Sequence, residues 1–146
     1  MSESAITGVE PLLRRLVELG TRSRRTRPAM KQAADVVLGS IRKNFEVGGR
    51  PRWRGLAKST LRNRKGGSIL VRSGRLKGSF KPKVGNDETS VSSNVVYGPR
   101  QHFGYRPGRG KGGGRGQAPT PARPFATLQD EDVVDIGRIF YRHMFE

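Results

Sequence analysis

The chain contains no cysteine, so disulfide bonds and thiol chemistry are excluded and a reducing compartment is permitted. No segment approaches the run of roughly 18 apolar residues that a membrane-spanning helix needs. The first residues, MSESAITGVEPLL, have neither the basic start nor the apolar run of a secretory signal peptide. These absences predict a soluble protein that stays in the compartment where it is made.

Apolar residues are scarce as well: 33% of the 146 residues are hydrophobic and 7% are aromatic. A chain of this length can build one domain with a modest core. We therefore expect a single domain, 1–146, in four parts. These are an N-terminal helix with a basic hinge (1–27), a body of one helix and a strand meander (28–103), a flexible Gly/Arg-rich arm (104–121) and a C-terminal segment with a helix (122–146).

Acidic residues are few, with 12 Asp and Glu against 29 Lys and Arg, and the formal net charge is +17. No acid occurs from Val47 to Asn86 or from Thr89 to Gln129. Such an excess carries no information about the fold, but it indicates an anionic partner. The charge does not distinguish between three kinds of partner: nucleic acid, an anionic membrane surface and an acidic protein surface.

The N-terminal part predicts a first amphipathic helix. Apolar residues recur at helical spacing from Val9 to Leu19, and Gly20 is expected to end the helix. The basic segment 21–27 would then be a hinge.

A second helix is predicted from Pro28, which suits a first helical turn, with Thr26 or Arg27 near the cap. Its apolar stripe ends at Phe45, and Gly48-Gly49 is expected to terminate it.

The middle of the chain has a weaker pattern. We expect Trp53 and Leu56 to anchor an extended segment to the core, and Ser59 to cap a short turn. Further on, Ser73 is a candidate cap for a second turn in which Leu76 packs.

The period then changes to two, which is typical of strands. The apolar positions of this region and its turn signal are Phe80, Pro82, Val84, Asn86-Asp87, Val91 and Val95-Val96-Tyr97. A last helix, beginning near Thr127–Asp130, is expected to bury Val133, Ile136, Ile139, Phe140 and Met144. The predicted fold class is α+β: a small antiparallel sheet of three or four strands, packed by two N-terminal helices and one C-terminal helix.

The arm contains seven glycines between Gly104 and Gln117 and no acid. Its four cations are Arg106, Arg109, Lys111 and Arg115. Because it has almost nothing apolar to bury, it cannot form a core of its own. It can follow a phosphate backbone, become ordered when it docks on a protein, or remain a disordered loop. The spacing Gly108-x-Gly110-x-x-Gly113 lacks the strand and helix of a dinucleotide site, so no cofactor is expected.

Groups suited to catalysis are few. His102 and His143 lie in different elements and belong to no metal-ligand spacing. The acids between Asp130 and Asp135 fit the first turn of a helix, where the helix dipole favours them. We therefore expect no catalytic residues, no metal and no enzymatic activity, and a nuclease or toxin-like enzyme is the weakest interpretation.

Several pieces of the sequence occur in an order that resembles the phage virion morphogenesis family, the tail completion proteins of Mu-like and P2-like phages. The resemblance covers roughly residues 28–145. After the helix that ends at Phe45, the pieces are Gly49-Arg50-Pro51-x-Trp53-x-x-Leu56, Ser59-Thr60-Leu61 with the basic tract Arg62–Lys65, Ile69-Leu70-x-x-Ser73-Gly74-x-Leu76-x-x-Ser79, Val96-Tyr97-x-x-x-x-His102-x-Gly104 and Ala122-Arg123-Pro124-Phe125.

The resemblance implies a structural protein of the virion neck or tail end, assembled in the host cytoplasm and acting in tail completion and head–tail joining. It also implies a ring around the DNA channel, with a hexamer as the expected count, and contacts with adjacent neck, portal-side or tail-tube proteins. No membrane contact is implied. The net charge and the arm support an alternative function, that of a basic nucleic-acid-binding protein of ribosomal or chromatin type.

The same resemblance marks five aromatic and aliphatic positions, for which core packing is the simplest role: Phe45, Trp53, Leu76, Tyr97 and Phe125. Arg123 is different, because it is a cation beside a residue expected to be buried. It is expected to pair with a carboxylate, either of its own chain or across a subunit interface. The Gly/Arg-rich composition of the arm is not part of the family pattern, so its four cations are expected to contact either DNA or a partner protein.

Overall fold

The second helix, α2 (Arg27–Val47), is the longest element of the protein and carries most of the buried apolar residues. The computed structural model describes residues 9–108 and 118–146. In chain order the elements are α1 (Val9–Arg24), α2, α3 (Lys58–Arg62), β1 (Lys81–Val84), β2 (Thr89–Ser92), α4 (Gly98–Phe103) and α5 (Asp130–Phe145). The fold class is α+β, as the sequence predicts.

Helix α2 has the limits that its sequence signals predict. Thr26 occupies the N-cap, Pro28 lies in the first turn, and Gly48 ends the helix in the left-handed conformation with φ +78°. The Thr26 hydroxyl donates a hydrogen bond to the carbonyl oxygen of Asn86, which ties the start of α2 to the turn between the strands. One face of α2 is buried along its length and forms the floor of the core.

Helix α1 departs from the prediction, because it continues through Gly20 to Arg24 and absorbs most of the expected hinge. A glycine inside a helix costs only about 1 kcal/mol relative to alanine. The Arg22–Glu18 ion pair of 2.7 Å, one helical turn apart, supports the helix at this point. No residue of α1 is buried. This helix therefore lies on the outside of the body.

The described residues contain a sheet of two antiparallel strands, β1 and β2, rather than the expected three or four. The register places Lys81 opposite Ser92 and Val84 opposite Thr89. Val95–Tyr97 does not form a strand but leads into α4, because Pro99 cannot donate to a strand ladder and suits the start of a helix.

The core is an aromatic cluster beneath the sheet. Phe45 stacks on Phe125 with ring centroids 5.4 Å apart, and the edge of Trp53 meets Phe45 at 5.6 Å. The Trp53 indole Nε1 donates to the carbonyl oxygen of Pro124 at 2.9 Å. Leu76 and Val95 complete the buried set with Ile41. Tyr97, expected in the core, is instead 42% exposed, because it caps the start of α4.

A set of hydrogen-bonded side chains joins α2 to α5, and we call it the polar seam: Ser40, Asn44, Arg50, Gln129 and Asp132. The Asp132 carboxylate accepts from the Ser40 hydroxyl at 2.5 Å and from the backbone amide of Gln129 at 2.8 Å, and the second bond caps α5. The Arg50 guanidinium donates to Ser40 Oγ at 2.7 Å and to the side-chain oxygen of Asn44 at 2.8 Å. The carbonyl oxygen of Arg50 accepts from the Gln129 side chain at 3.0 Å. The seam therefore fixes the position of α5 on the core.

Two smaller expectations also differ from the structure. Helix α3 has Ala57 at its N-cap, so Ser59 lies inside the helix and does not cap it. Helix α5 buries Ile139, but Val133 is 57% exposed, while Ile136, Phe140 and Met144 are half-buried. Helix α5 therefore uses a narrower face against the core than its sequence suggests. None of the helices in the described ranges is long and apolar enough to cross a bilayer.

Candidate functional site

The two described ends of the arm, 104–108 and 118–121, lie side by side. Tyr105 and Thr120 form an isolated antiparallel bridge, in which each backbone amide donates to the other residue's carbonyl oxygen at 2.8 Å. Gly104, just before the bridge, has φ +79°, and a Cβ at this position would lie 2.8 Å from the Ala122 amide nitrogen. Only glycine fits this close approach. We call the bridge and Gly104 the foot of the arm.

Three of the four arm cations, Arg109, Lys111 and Arg115, lie outside the described residues. The fourth, Arg106, follows the foot of the arm, is exposed, and lines a cavity beside it. At the foot itself, the Arg100 guanidinium lies over the Tyr105 ring, 4.1 Å from its centroid, in a cation–π contact. The region from which the arm departs is therefore itself cationic.

The segment from Ala122 to Phe125 is fixed to helices α4 and α2. The Arg123 amide donates to the Gln101 carbonyl oxygen at 2.9 Å, which joins the segment to α4. The Phe125 amide donates to His102 Nδ1 at 3.3 Å, and the Phe125 ring is buried against Phe45. Because both the foot of the arm and this segment are held, the arm starts and ends on a rigid base.

Arg123 is 5% exposed and is held by backbone carbonyl oxygens. Its Nε donates to the Arg54 carbonyl oxygen at 3.1 Å, and Nη2 donates to that of Gly55 at 3.2 Å. No carboxylate of the described residues lies within ion-pair distance of it. Burial lowers the pKa of Arg123, and the nearby Arg54 charge lowers it further. Of the two expected partners, a carboxylate of the same chain is not found in the described part of the protein.

His102 has a structural environment. Its ring meets the Phe125 ring edge-on at 4.9 Å and packs against Phe103 at 4.6 Å. Burial lowers the pKa of His102 below its usual 6.5, and Nδ1 accepts the Phe125 amide proton, so the neutral ring carries its own proton on Nε2. Within residues 9–108 and 118–146, no cluster of His, Asp and Glu could hold a metal ion.

The outer face of the molecule carries exposed apolar side chains on two helices. On α1 these are Val9, Leu12, Leu13, Leu16 and Val17, and on α5 they are Val133, Val134, Tyr141 and Phe145. We call the α1 set the α1 stripe. Contiguous apolar residues left exposed on a helix are typical of a surface that binds another protein or a membrane.

Helix α1 is attached to the end of α5 through polar groups rather than through the α1 stripe. Arg15 Nη2 donates to the Phe145 carbonyl oxygen at 2.7 Å, and Arg22 approaches the carbonyl oxygens of His143 and Glu146 at 3.5 Å. These guanidinium groups satisfy carbonyls that the last turn of a helix leaves without partners. The α1 stripe therefore stays exposed while the helix is held in place.

The sequence interpretation did not single out the residues that surround Arg123. Arg54, Lys58 and Arg64 line the same cavity as Arg106 and Arg123. The available signal was the acid-free run between Val47 and Asn86, which contains three of these cations. Their convergence on a cavity could not be deduced, because it depends on where the chain returns after the arm.

Comparison with known proteins identifies a family and a similar protein. The model of the phage virion morphogenesis family matches residues 6–144. The chain is 32% identical to the Mu-like prophage FluMu G protein 2 of Haemophilus influenzae over 136 residues, which cover 93% of this chain and 91% of that protein. No solved structure matches the chain. By the extent of both matches, the chain belongs to the phage virion morphogenesis family.

Proposed function

We propose that the protein is a structural component of the virion neck or tail end, and that its copies form a hexameric ring around the DNA channel. In this role it completes the tail and joins it to the head by binding neighbouring proteins, without catalysis. The observation that carries the proposal is the α1 stripe: a helix held in place with no buried residue of its own, in a chain of a virion morphogenesis family.

The proposed ring requires a particular kind of contact. The α1 stripe is one patch on one side of the molecule, and in a ring it contacts a different patch on the next copy. Head-to-tail contacts of this kind close into rings when the rotation per copy permits it. Burial of the stripe stabilises the contact by about 25 cal/mol for each Å² of apolar surface removed from water.

The arm has a defined place in this proposal. Because the foot of the arm is fixed by the Tyr105–Thr120 bridge, each copy presents its arm from the same point on the ring. The arms can then reach an adjacent neck, portal-side or tail-tube protein, or contact the DNA in the channel through Arg106, Arg109, Lys111 and Arg115. We favour docking on protein, since a lumen that held DNA strongly would oppose its ejection.

The test uses a phage or inducible prophage that encodes this chain. Deletion of the gene is expected to give particles with full heads and separate tails in electron micrographs, and wild-type protein supplied in trans should restore joined virions. Normal joining in the deletion strain contradicts the proposal.

A basic nucleic-acid-binding protein is the second candidate, favoured by the net charge of +17. It requires the free monomer to bind duplex DNA or RNA with a steep dependence on salt. Replacing the four arm cations with Ser should then abolish binding. Such binding, together with normal head–tail joining in the deletion strain, would replace the first proposal with the second.

A further inference from the structure

An open cavity of about 1110 Å³ lies beside the foot of the arm. Its lining includes the segment from Arg54 to Thr60 and, from the two ends of the arm, Arg106–Pro107 and 118–121. Arg123 lies among the lining residues. Sites for small molecules and peptides in proteins commonly have volumes of about 300–1,000 Å³, so this cavity is large enough for a short peptide segment.

The charge of the cavity has one sign. Among the described residues that line it, none is Asp or Glu and five are cations: Arg54, Lys58, Arg64, Arg106 and Arg123. None of the five lies within ion-pair distance of a carboxylate in the described ranges of the chain. Cations that converge on a concave surface reinforce one another's potential, because the low-dielectric walls concentrate the field. The charge of the cavity therefore favours an anionic ligand.

Arg123 gives this site a fixed charge at its base. The side chain is almost fully buried, and two carbonyl oxygens hold it in one orientation. A guanidinium has five N–H donors, of which these two bonds use only part. Burying a cation without a counter-ion costs free energy, and an incoming carboxylate offsets that cost. The planar guanidinium also matches a carboxylate in a two-bond geometry.

The rest of the lining mixes apolar residues with the polar side chains of Ser59, Thr60, Gln101 and Thr120, and this mixture favours a peptide as the ligand. Leu56, Leu70, Pro107, Pro119 and Pro121 line the cavity between the cations. A DNA duplex presents a convex, hydrated row of phosphates that cannot reach a buried guanidinium or use apolar walls. An extended peptide can place a carboxylate on Arg123 and aliphatic side chains on the prolines and leucines.

We propose that this cavity binds an acidic segment of a partner protein, in which Asp or Glu residues alternate with aliphatic ones and one carboxylate pairs with Arg123. The site is complete within one copy of the chain. It therefore does not depend on ring formation, and a failure of one proposal leaves the other standing.

The test is fluorescence anisotropy with the full chain and a fluorescein-labelled synthetic peptide of repeated Asp-Leu-Glu. The matched probe is repeated Asn-Leu-Gln, which has the same shape without charge. The acidic peptide is expected to bind and the amide peptide is not, and binding of the acidic peptide should weaken as salt is raised.

The cavity variant combines Arg54→Gln with Lys58→Gln, because both side chains are exposed and removing them should leave the fold intact. The control variant combines Arg52→Gln with Arg62→Gln, which are exposed neighbours outside the cavity and give the same change in net charge. We expect the cavity variant to bind the acidic peptide about ten-fold or more weakly than the wild-type chain does. The control variant should change the affinity for this peptide by less than about three-fold. Arg123→Lys, which keeps the charge but loses the planar fork, should also weaken binding.

A labelled DNA duplex in the same titration distinguishes the two sources of anionic groups. If the duplex loses affinity in the cavity variant while the acidic peptide does not bind, the cavity belongs to nucleic acid and the proposal is overturned. Equal binding of the acidic and amide peptides, or equal losses in the cavity and control variants, also overturns it.

Discussion

The side-chain amide of Asn44 donates a 2.8 Å hydrogen bond to the carbonyl oxygen of Phe125. Asn44 is fully buried in α2, whereas Phe125 lies in the segment that returns from the arm. The same amide reaches the Thr127 carbonyl oxygen at 3.1 Å, and the Asn44 side-chain oxygen accepts from Arg50. One buried polar side chain therefore holds the returning chain on the longest helix, close to the start of α5.

Replacing this residue, Asn44→Ala, should destabilise the protein by about 2–3 kcal/mol, because the carbonyl oxygens and the Arg50 nitrogen lose their partner in a buried place. Thermal or urea unfolding of the full chain measures the change. Asn94→Ala is the control, since Asn94 is exposed, and it should change the stability by less than about 0.5 kcal/mol. Equal effects of the two substitutions would contradict the role given to Asn44.

Alanine substitutions at two glycines of the same region should change the stability of the protein in opposite directions. A Cβ on Gly49 would lie 2.4 Å from Trp53 Cδ1, and the residue has φ +100°, so Gly49→Ala requires movement of a core ring and a strained backbone. Gly39 lies inside α2, and a Cβ there would meet no atom within 4 Å beyond the backbone of its own helix. Gly39→Ala should stabilise the protein by about 0.5–1 kcal/mol. Gly49→Ala should lower the unfolding temperature, and a neutral result there would show that the Trp53 contact is loose.

The sequence predicts α2 well because several local signals agree there. The proline in the first turn, the apolar stripe and the terminal Gly48 all act within a few residues, and tertiary packing reinforces them. By contrast, the end of α1 could not be predicted from Gly20. The cost of one helical glycine is small, and the pairing of Arg22 with Glu18 and with the end of α5 outweighs it.

The candidate site was predictable only in part. The sequence singles out the segment Ala122–Phe125, which the structure holds against α2 and α4, whereas residues 109–117 of the arm lie outside the described residues. The missing third strand was not foreseen, because Val95 and Val96 have strand propensity while Pro99 decides the structure. The cationic cavity depends on contacts between residues far apart along the chain, such as the bond between Arg123 and Gly55 across 68 positions, and no local pattern encodes them.

Stability should depend on pH through His102. Burial lowers its pKa below 6.5 in the folded protein, so the unfolded chain takes up a proton first as pH falls. The stabilising contribution of the neutral ring is therefore complete above about pH 6.5 and is lost as pH falls through the folded-state pKa. In His102→Asn, whose side-chain oxygen can accept from the Phe125 amide, this part of the pH dependence should vanish. Urea unfolding at a series of pH values measures it, and an unchanged slope would refute the assignment.

The contribution of Asp132 to stability should change with pH in a more acidic range than that of His102. Burial raises its pKa, but the hydrogen bonds from Ser40 and from the Gln129 amide, with the Arg50 charge, outweigh burial, and the net pKa lies below the usual 3.8. The carboxylate therefore stabilises the fold above about pH 4, and this contribution is lost as pH falls through the lowered pKa.

The substitution Asp132→Asn should remove the acid-dependent contribution and loosen α5. The control is Asp135→Asn, which breaks an exposed pair with Arg138 and should cost less than about 0.5 kcal/mol. Acid unfolding followed by circular dichroism separates the two. A control that loses as much stability as Asp132→Asn would show that the polar seam is no stronger than a surface ion pair.

The α1 stripe makes the self-association of the chain testable apart from its stability. Leu12→Gln with Leu16→Gln replaces two exposed apolar side chains and removes no buried contact, since α1 has no buried residue. The double variant should keep the unfolding temperature of the monomer but lose the oligomers that we expect wild-type protein to form in sedimentation velocity at rising concentration, because the proposed contact surface becomes polar. Leu61→Gln with Val96→Gln is the control, since it also replaces two exposed apolar side chains but lies outside α1 and α5, and its oligomers should persist. Two results would contradict a role of the α1 stripe in assembly. The first is a wild-type chain that remains monomeric at every concentration, and the second is a control that dissociates as fully as the α1 variant.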